Sequence, residues 1–272
     1  MAPTVIVQSL LDKLQFDFAA FEEEKSKAKA VTASDPAKDA ILGGETLPSW
    51  YTGETKQLLG ILLPKDRAQS WITGEQESWM VYVHGNKEPQ NAELLRLSAA
   101  VATLIDAPQS NTEHIYQLGF FCGLHRMRDN GKRQIIDMMT SLSAQLLKMV
   151  LDRKVDIDLT RVEAELIKDG TFSEVLLASA FFAYVVSQLP EGSVVHCAVD
   201  NFLDYWNDKQ PYDNDFEFVF SQLLRIVQAG EKVHTKLLLT CKTNGGQLDS
   251  LWGTKDKEKH VVDVDHPIWE RS

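Results

Sequence analysis

Four short runs of nearly uninterrupted apolar residues constrain this chain most: "SWMVYVH" at 78–84, "IYQLGFFC" at 115–122, "SVVHCAV" at 193–199 and "KLLLT" at 236–240. They are rich in β-branched and aromatic residues, as strands are. They do not alternate apolar with polar, so each must be covered on both faces. Between them lie segments with helical spacing: Ala92–Ile105, Gln134–Leu151, Phe172–Leu189 and Phe216–Ala229. Parallel strands need crossovers of about a dozen residues or more, and these segments are long enough. The pattern predicts an α/β fold with a mainly parallel sheet and helices on both faces. "HVVDV", His260–Val264, is a candidate fifth strand.

Ahead of this body, residues 4–29 read as one amphipathic helix, with Val5, Leu10, Leu11, Leu14, Phe18 and Phe21 at helical spacing. A stripe of this kind is expected to pack on the domain; the alternative is a helix that recruits a partner or oligomerises. Ser34-Asp35-Pro36, Gly43-Gly44 and Pro48 then punctuate a linker near residues 31–48. The expected organisation is an N-terminal helix and linker, 1–48, followed by an α/β domain, 49–272.

Composition removes several function classes. The 272 residues are 44% hydrophobic and 25% charged, ordinary for a globular protein with a sizeable core. A net charge of −11 argues against general nucleic-acid binding, which needs an excess of Lys and Arg. Three dispersed cysteines, Cys122, Cys197 and Cys241, do not suggest a disulfide framework, and no Asn-X-Ser/Thr acceptor occurs. "VIVQSLLDKLQFDF" is broken by polar residues and does not read as a signal peptide. No run approaches the roughly 18 apolar residues that span a bilayer. A cytoplasmic setting without membrane partners is expected.

The stretch "VYVHGNKEPQNAELLRL", Val81–Leu97, is a strand, a turn and a helix, the setting of a phosphate-binding loop. Aligned from Gly85, a G-x-x-x-x-G-K-[ST] motif places Gln90 at the second glycine, Asn91 at the lysine and Ala92 at the hydroxyl. Lys87 is present, together with Asn86, but sits far from the helix start where the reach to phosphate begins. On its own this is an ordinary strand–helix joint. Downstream, "SVVHCAVD" ends in Asp200, an acid where P-loop proteins bind Mg²⁺ through water, and "KLLLTC" ends in Thr240 and Cys241, where a polar residue often senses the γ-phosphate.

With these residues in order, the chain resembles the degenerate branch of the STAND-type (NACHT-like) P-loop NTPase domains abundant in fungi, the nephrocystin-like N-terminal type. The likeness rests on "LLPKDRAQSWITGEQESWMVYVHG" with its central Trp71, "LGFFCG", "IIDMMTSLSAQLLKM", "VVHCAVDNFLDYW" and "FSQLLRIVQAGEKVHTKLLLTCKTN", together spanning about residues 60–265. No one motif is specific; their order and spacing carry the likeness. It implies a three-layer P-loop NTPase-like fold with strand order 5-1-4-3-2, and vestigial nucleotide-binding positions at Gly85, Asn86, Lys87, Gln90, Asn91, Ala92, Asp200 and Thr240.

The departures are chemical. The lysine and the Mg²⁺-binding hydroxyl of the loop are replaced, and the Glu usual shortly after the strand acid is absent, with Asp204 one turn on as a substitute or a plain surface acid. Phosphoryl transfer depends on positioning and charge stabilisation, so these losses should remove catalysis. Glu88 and Glu93 would also oppose a triphosphate. The basic cluster "HRMRDNGKR", with Arg126, Arg128, Lys132 and Arg133, reads as a solvated loop or as an anion or partner contact. "WNDKQPYDND", 206–215, reads as a polar loop that either contacts a partner or merely connects. The seven histidines show no i, i+4 pair that would support a zinc site.

The expected function is therefore a pseudo-NTPase regulatory or scaffolding module with no cofactor and a protein partner, itself or a full-length relative. It would be either a stand-alone regulator or an incomplete chain. One alternative is a weak ATP- or GTP-binding enzyme in which Asp200 holds Mg²⁺ and Lys87 or the basic cluster replaces the missing lysine. Another is an interaction protein acting through the N-terminal helix.

Overall fold

Among the described residues five parallel strands form the sheet: β1 (Trp79–His84), β2 (Ile115–Phe121), β3 (Val194–Asp200), β4 (His234–Cys241) and β5 (Val261–Asp263). Their spatial order is β2-β3-β4-β1-β5, which read from the other edge is 5-1-4-3-2. Every adjacent pair runs parallel. The computed structural model describes residues 3–14, 17–30, 70–71, 73, 76–84, 101–106, 114–122, 131–159, 175–202, 213–241 and 261–263. Among these residues the helices are α1 (Pro3–Leu14), α2 (Phe18–Ala30), α3 (Gly131–Asp152), α4 (Val175–Ser187) and α5 (Asp213–Gln228), with further helical residues at 70–71, 73 and 101–106.

The register explains why the strands lack polar alternation. All seven residues of β3 are buried. Val195, Cys197 and Val199 of β3 share one face with Leu237 and Leu239 of β4 and with Tyr116, Leu118 and Phe120 of β2. That face meets the apolar sides of α1, α3, α4 and α5 in a single core. The opposite face carries Val194, His196 and Ala198, with Trp79, Val81, Val83 and Leu238. Trp71, Val101, Leu104 and Ile105 cover it, all buried, and α2 reaches it where the Phe21 and Phe121 rings lie 6.3 Å apart. α4, "VLLASAFFAYVVS", has no charged residue because α3 and α5 flank it while it rests on the core. Among the described residues no helix is long and apolar enough to cross a membrane.

The outer strand β2 has one open edge, and a side chain closes it. Gln145 of α3 accepts the Gly119 N–H at 3.0 Å and donates to the Gly119 carbonyl at 2.8 Å, taking the place of a neighbouring strand. The same amide also donates to Ser141 Oγ at 3.0 Å. Gly119 lets Ile105 pack close: a Cβ there would lie 1.9 Å from Ile105 Cδ1, so a larger residue would require that side chain to shift.

Several expectations need correction. The single helix over 4–29 is two helices. Asp17 is not helical and caps α2, its carboxylate accepting the Ala20 N–H at 3.0 Å. Val7, Leu10 and Leu11 of α1 lie in the core against α3, as expected of a stripe that packs on the domain. Lys132 and Arg133 stand in the first turn of α3 rather than in a loop, and Asp213–Asp215 open α5. The linker at 31–48, most of the 92–105 helix, and Asp204 lie outside the described residues.

Gln145→Ala would leave the buried N–H and C=O of Gly119 unpaired. At about 1–3 kcal/mol per unsatisfied group, urea unfolding should show a loss of about 2–4 kcal/mol. A loss within about 0.5 kcal/mol, typical of a neutral surface change, would show that the edge does not need this amide.

Candidate functional site

Two strand ends meet where ligands bind in open parallel sheets, at the carboxyl ends beside the point where strand order reverses. β1 is that point: the chain leaves it for the far edge at β2, and β5 later takes its other side. Register sets Phe121 opposite Asp200, and Thr240 opposite Val83. The last residue of β3 and the penultimate residue of β4 thus stand side by side, next to the end of β1.

Their side chains form a closed polar clasp. The Thr240 hydroxyl donates to Asp200 Oδ1 at 2.7 Å and accepts the backbone N–H of Asn201 at 3.0 Å. Asn201 Nδ2 donates to Asp200 Oδ2 at 3.0 Å. Asp200, Asn201 and Thr240 are 1%, 2% and 0% exposed. Asn201 has φ 54°, the left-handed conformation that asparagine adopts more readily than most residues. That turn folds the Asn201 amide back over the carboxylate it follows. Beyond it, Phe202 is buried against Phe216 and Phe220, with ring centroids 4.5 and 6.3 Å away. Each carboxylate oxygen therefore has an internal donor, and such charge-assisted bonds are the stronger kind.

Of the positions that the resemblance implies, Asp200 and Thr240 come into direct contact, and Asn201, which the sequence reading did not single out as a site residue, joins them. An Asp-Asn pair ending an apolar strand is a turn signal that could have marked it. Gly85, Asn86, Lys87, Gln90, Asn91 and Ala92 follow β1 but lie outside the described residues, as do Arg126 and Arg128. Lys132 and Arg133 belong to α3, beyond β2 in the chain.

A second buried polar group lies midway along the same face of the sheet. His196 of β3 and Lys236 of β4 are register partners, and both are fully buried. The His196 ring stacks on Trp71 with centroids 4.4 Å apart and 28° between planes. Neither of its ring nitrogens has a hydrogen-bond partner. Burial first, then the Lys236 charge, holds His196 well below the ordinary value of 6.5. Lys236 Nζ donates to the Ser70 carbonyl, and Trp79 Nε1 donates to Ser70 Oγ at 3.2 Å. On the opposite face, burial pushes the Cys197 thiol up to about 12, which leaves it a poor nucleophile.

The fold and site define a parallel α/β protein with a buried acid–hydroxyl clasp at the strand ends. Comparison with family models, curated proteins and solved structures returned no match.

Replacing Thr240 by Val would strand the Asn201 N–H and remove a hydrogen-bond donor from a buried carboxylate. The expected loss by urea unfolding is about 2–4 kcal/mol, from the cost of unpaired buried groups. Thr240→Ser keeps the hydroxyl and should recover most of it; equal losses for both would show that packing, not the hydroxyl, holds this end of the sheet.

Proposed function

We propose that this chain is a non-catalytic pseudo-NTPase module, related to STAND-type P-loop domains, with a regulatory or scaffolding role toward a protein partner. One observation carries the reading: Asp200, the acid that would hold Mg²⁺ in an active relative, is buried and bonded through both oxygens to Thr240 and Asn201. Water-mediated metal binding asks a carboxylate to face solvent beside the phosphates. Here the carboxylate faces a threonine hydroxyl and an asparagine amide, and presenting it to a hydrated ion would break bonds at the end of two fully buried strands. Buried charge that loses its partners is costly, so this arrangement favours a structural duty for Asp200.

The loop sequence agrees. Asn91 and Ala92 stand where the lysine and the metal-binding hydroxyl would be, so a triphosphate would gain neither charge neutralisation nor a second metal ligand. The strand order and the position of the Asp200–Thr240 pair beside β1 support descent from a nucleotide-binding architecture. What remains is an α/β body in which the ends of β3 and β4 are tied together by their own side chains. Such a body serves binding to another protein rather than turnover. The partner is a second copy of this chain or a larger relative.

Calorimetric titration with ATP, GTP and ADP in the presence of Mg²⁺ tests this. The expected outcome is no saturable heat at millimolar nucleotide and no phosphate release above a protein-free control. Saturable binding that is lost in a folded Asp200→Asn variant would overturn the reading and favour a weak nucleotide-binding enzyme.

A further inference from the structure

The His196 cluster serves no step in the proposed function, yet it is built at some expense. A fully buried histidine with neither nitrogen bonded is unusual, since buried polar atoms nearly always find partners. Its surroundings explain what holds it and what would dislodge it. From β4, Lys236 lies in register beside it. From β2, its register partner is the uncharged Gln117. From the covering segment come Trp71, which stacks on the ring, and Ser70, whose carbonyl takes the Lys236 ammonium. From β1, Trp79 lies 5.6 Å from Trp71, centroid to centroid, and also holds Ser70. Among the described residues the charged group acting on His196 is thus Lys236, a cation.

We propose that His196, Trp71 and Lys236 form an acid-sensitive latch that holds residues 70–71 against the sheet while His196 is neutral and frees them when it takes a proton. In place, an imidazolium would have no acceptor, no solvent and a buried ammonium beside it. Protonation is therefore coupled to lifting Trp71 away and admitting water. The direction in pH follows. A histidine held below 6.5 in the folded state adds stability that is intact above that value. That stability is lost as pH falls below it, because protons then favour the open form. The contact that opens is local: the Ser70 and Trp71 bonds face the sheet opposite the main core, which does not include them.

The test is ¹⁹F NMR of the full chain labelled with 5-fluorotryptophan, with Trp71→Phe used to assign the Trp71 resonance, over about pH 7.5 to 5, a range that brackets histidine titration. The expected result is a reversible shift of the Trp71 signal to a solvent-exposed position below pH 6.5 while far-UV circular dichroism stays unchanged. His196→Phe, which keeps the aromatic stack but cannot titrate, should abolish the shift; His196→Leu serves the same purpose if the phenylalanine is not accommodated. Lys236→Met, which removes the opposing cation, should move the midpoint toward neutral pH. The proposal is overturned if the Trp71 signal does not move over this range. It is equally overturned if the signal moves only together with loss of the helical circular dichroism, or if it moves alike in the His196 variants.

Discussion

A strand buried on both faces must accommodate inside the protein every polar side chain it carries, and this requirement organises the structure: Asp200, Thr240 and Lys236 meet it through hydrogen bonds, His196 by stacking on Trp71. β3 and β4 are the central pair, and between them they contain Asp200, His196, Lys236 and Thr240, all buried. The polar residues do not interrupt the strands at random. Asp200 and Thr240 close the carboxyl end against each other, while Lys236 finds the Ser70 carbonyl midway along the same face. Removing one member of such a pair leaves an uncompensated group in a low-dielectric interior, which is why these ties are more consequential than the exposed Lys148–Asp152 pair on α3. The same rule governs the sheet edge, where Gln145 satisfies Gly119.

This requirement bears directly on what the strand ends can do. In a working phosphoryl-transfer site, polar groups at the carboxyl edge are held ready for a ligand and are completed by it. Here the acid is completed by its own neighbours. The left-handed turn at Asn201 brings a backbone N–H to Thr240 and a side-chain amide to Asp200, so the loop that leaves β3 is itself the cap on the carboxylate. The parallel α/β sheet and the internally bonded acid are compatible if these strand ends hold shape rather than ligand.

Much of this fold was legible in the sequence, for identifiable reasons. The apolar runs without alternation led to buried parallel strands, and each run coincides with a strand to within one or two residues. The strand order followed from the resemblance, not from the runs, because periodicity does not reveal which strands are neighbours. The break between α1 and α2 was missed because the apolar stripe continues across it; Asp17 as an N-cap was the available signal. The contact between Gln145 and Gly119 was not legible, since it depends on the rotation of α3 about its axis over a separation of 26 residues. His196 and Lys236 were visible as polar residues inside apolar strands, "SVVHCAV" and "HTKLLLT", and their meeting needed the register of β3 and β4. Of the site, Asp200 and Thr240 were placed by order along the chain, while Asn201 was passed over as part of the turn.

The central claim is that Asp200 works as a structural partner of Thr240. A double-mutant cycle on Asp200→Asn and Thr240→Val, followed by urea unfolding with and without Mg²⁺-ATP, measures this most directly. The account predicts a coupling of about 1–3 kcal/mol between the two side chains, as for directly bonded buried groups, unchanged by the nucleotide. Coupling near zero, with Mg²⁺-ATP stabilising the wild-type chain but not the Asp200→Asn variant, would contradict it.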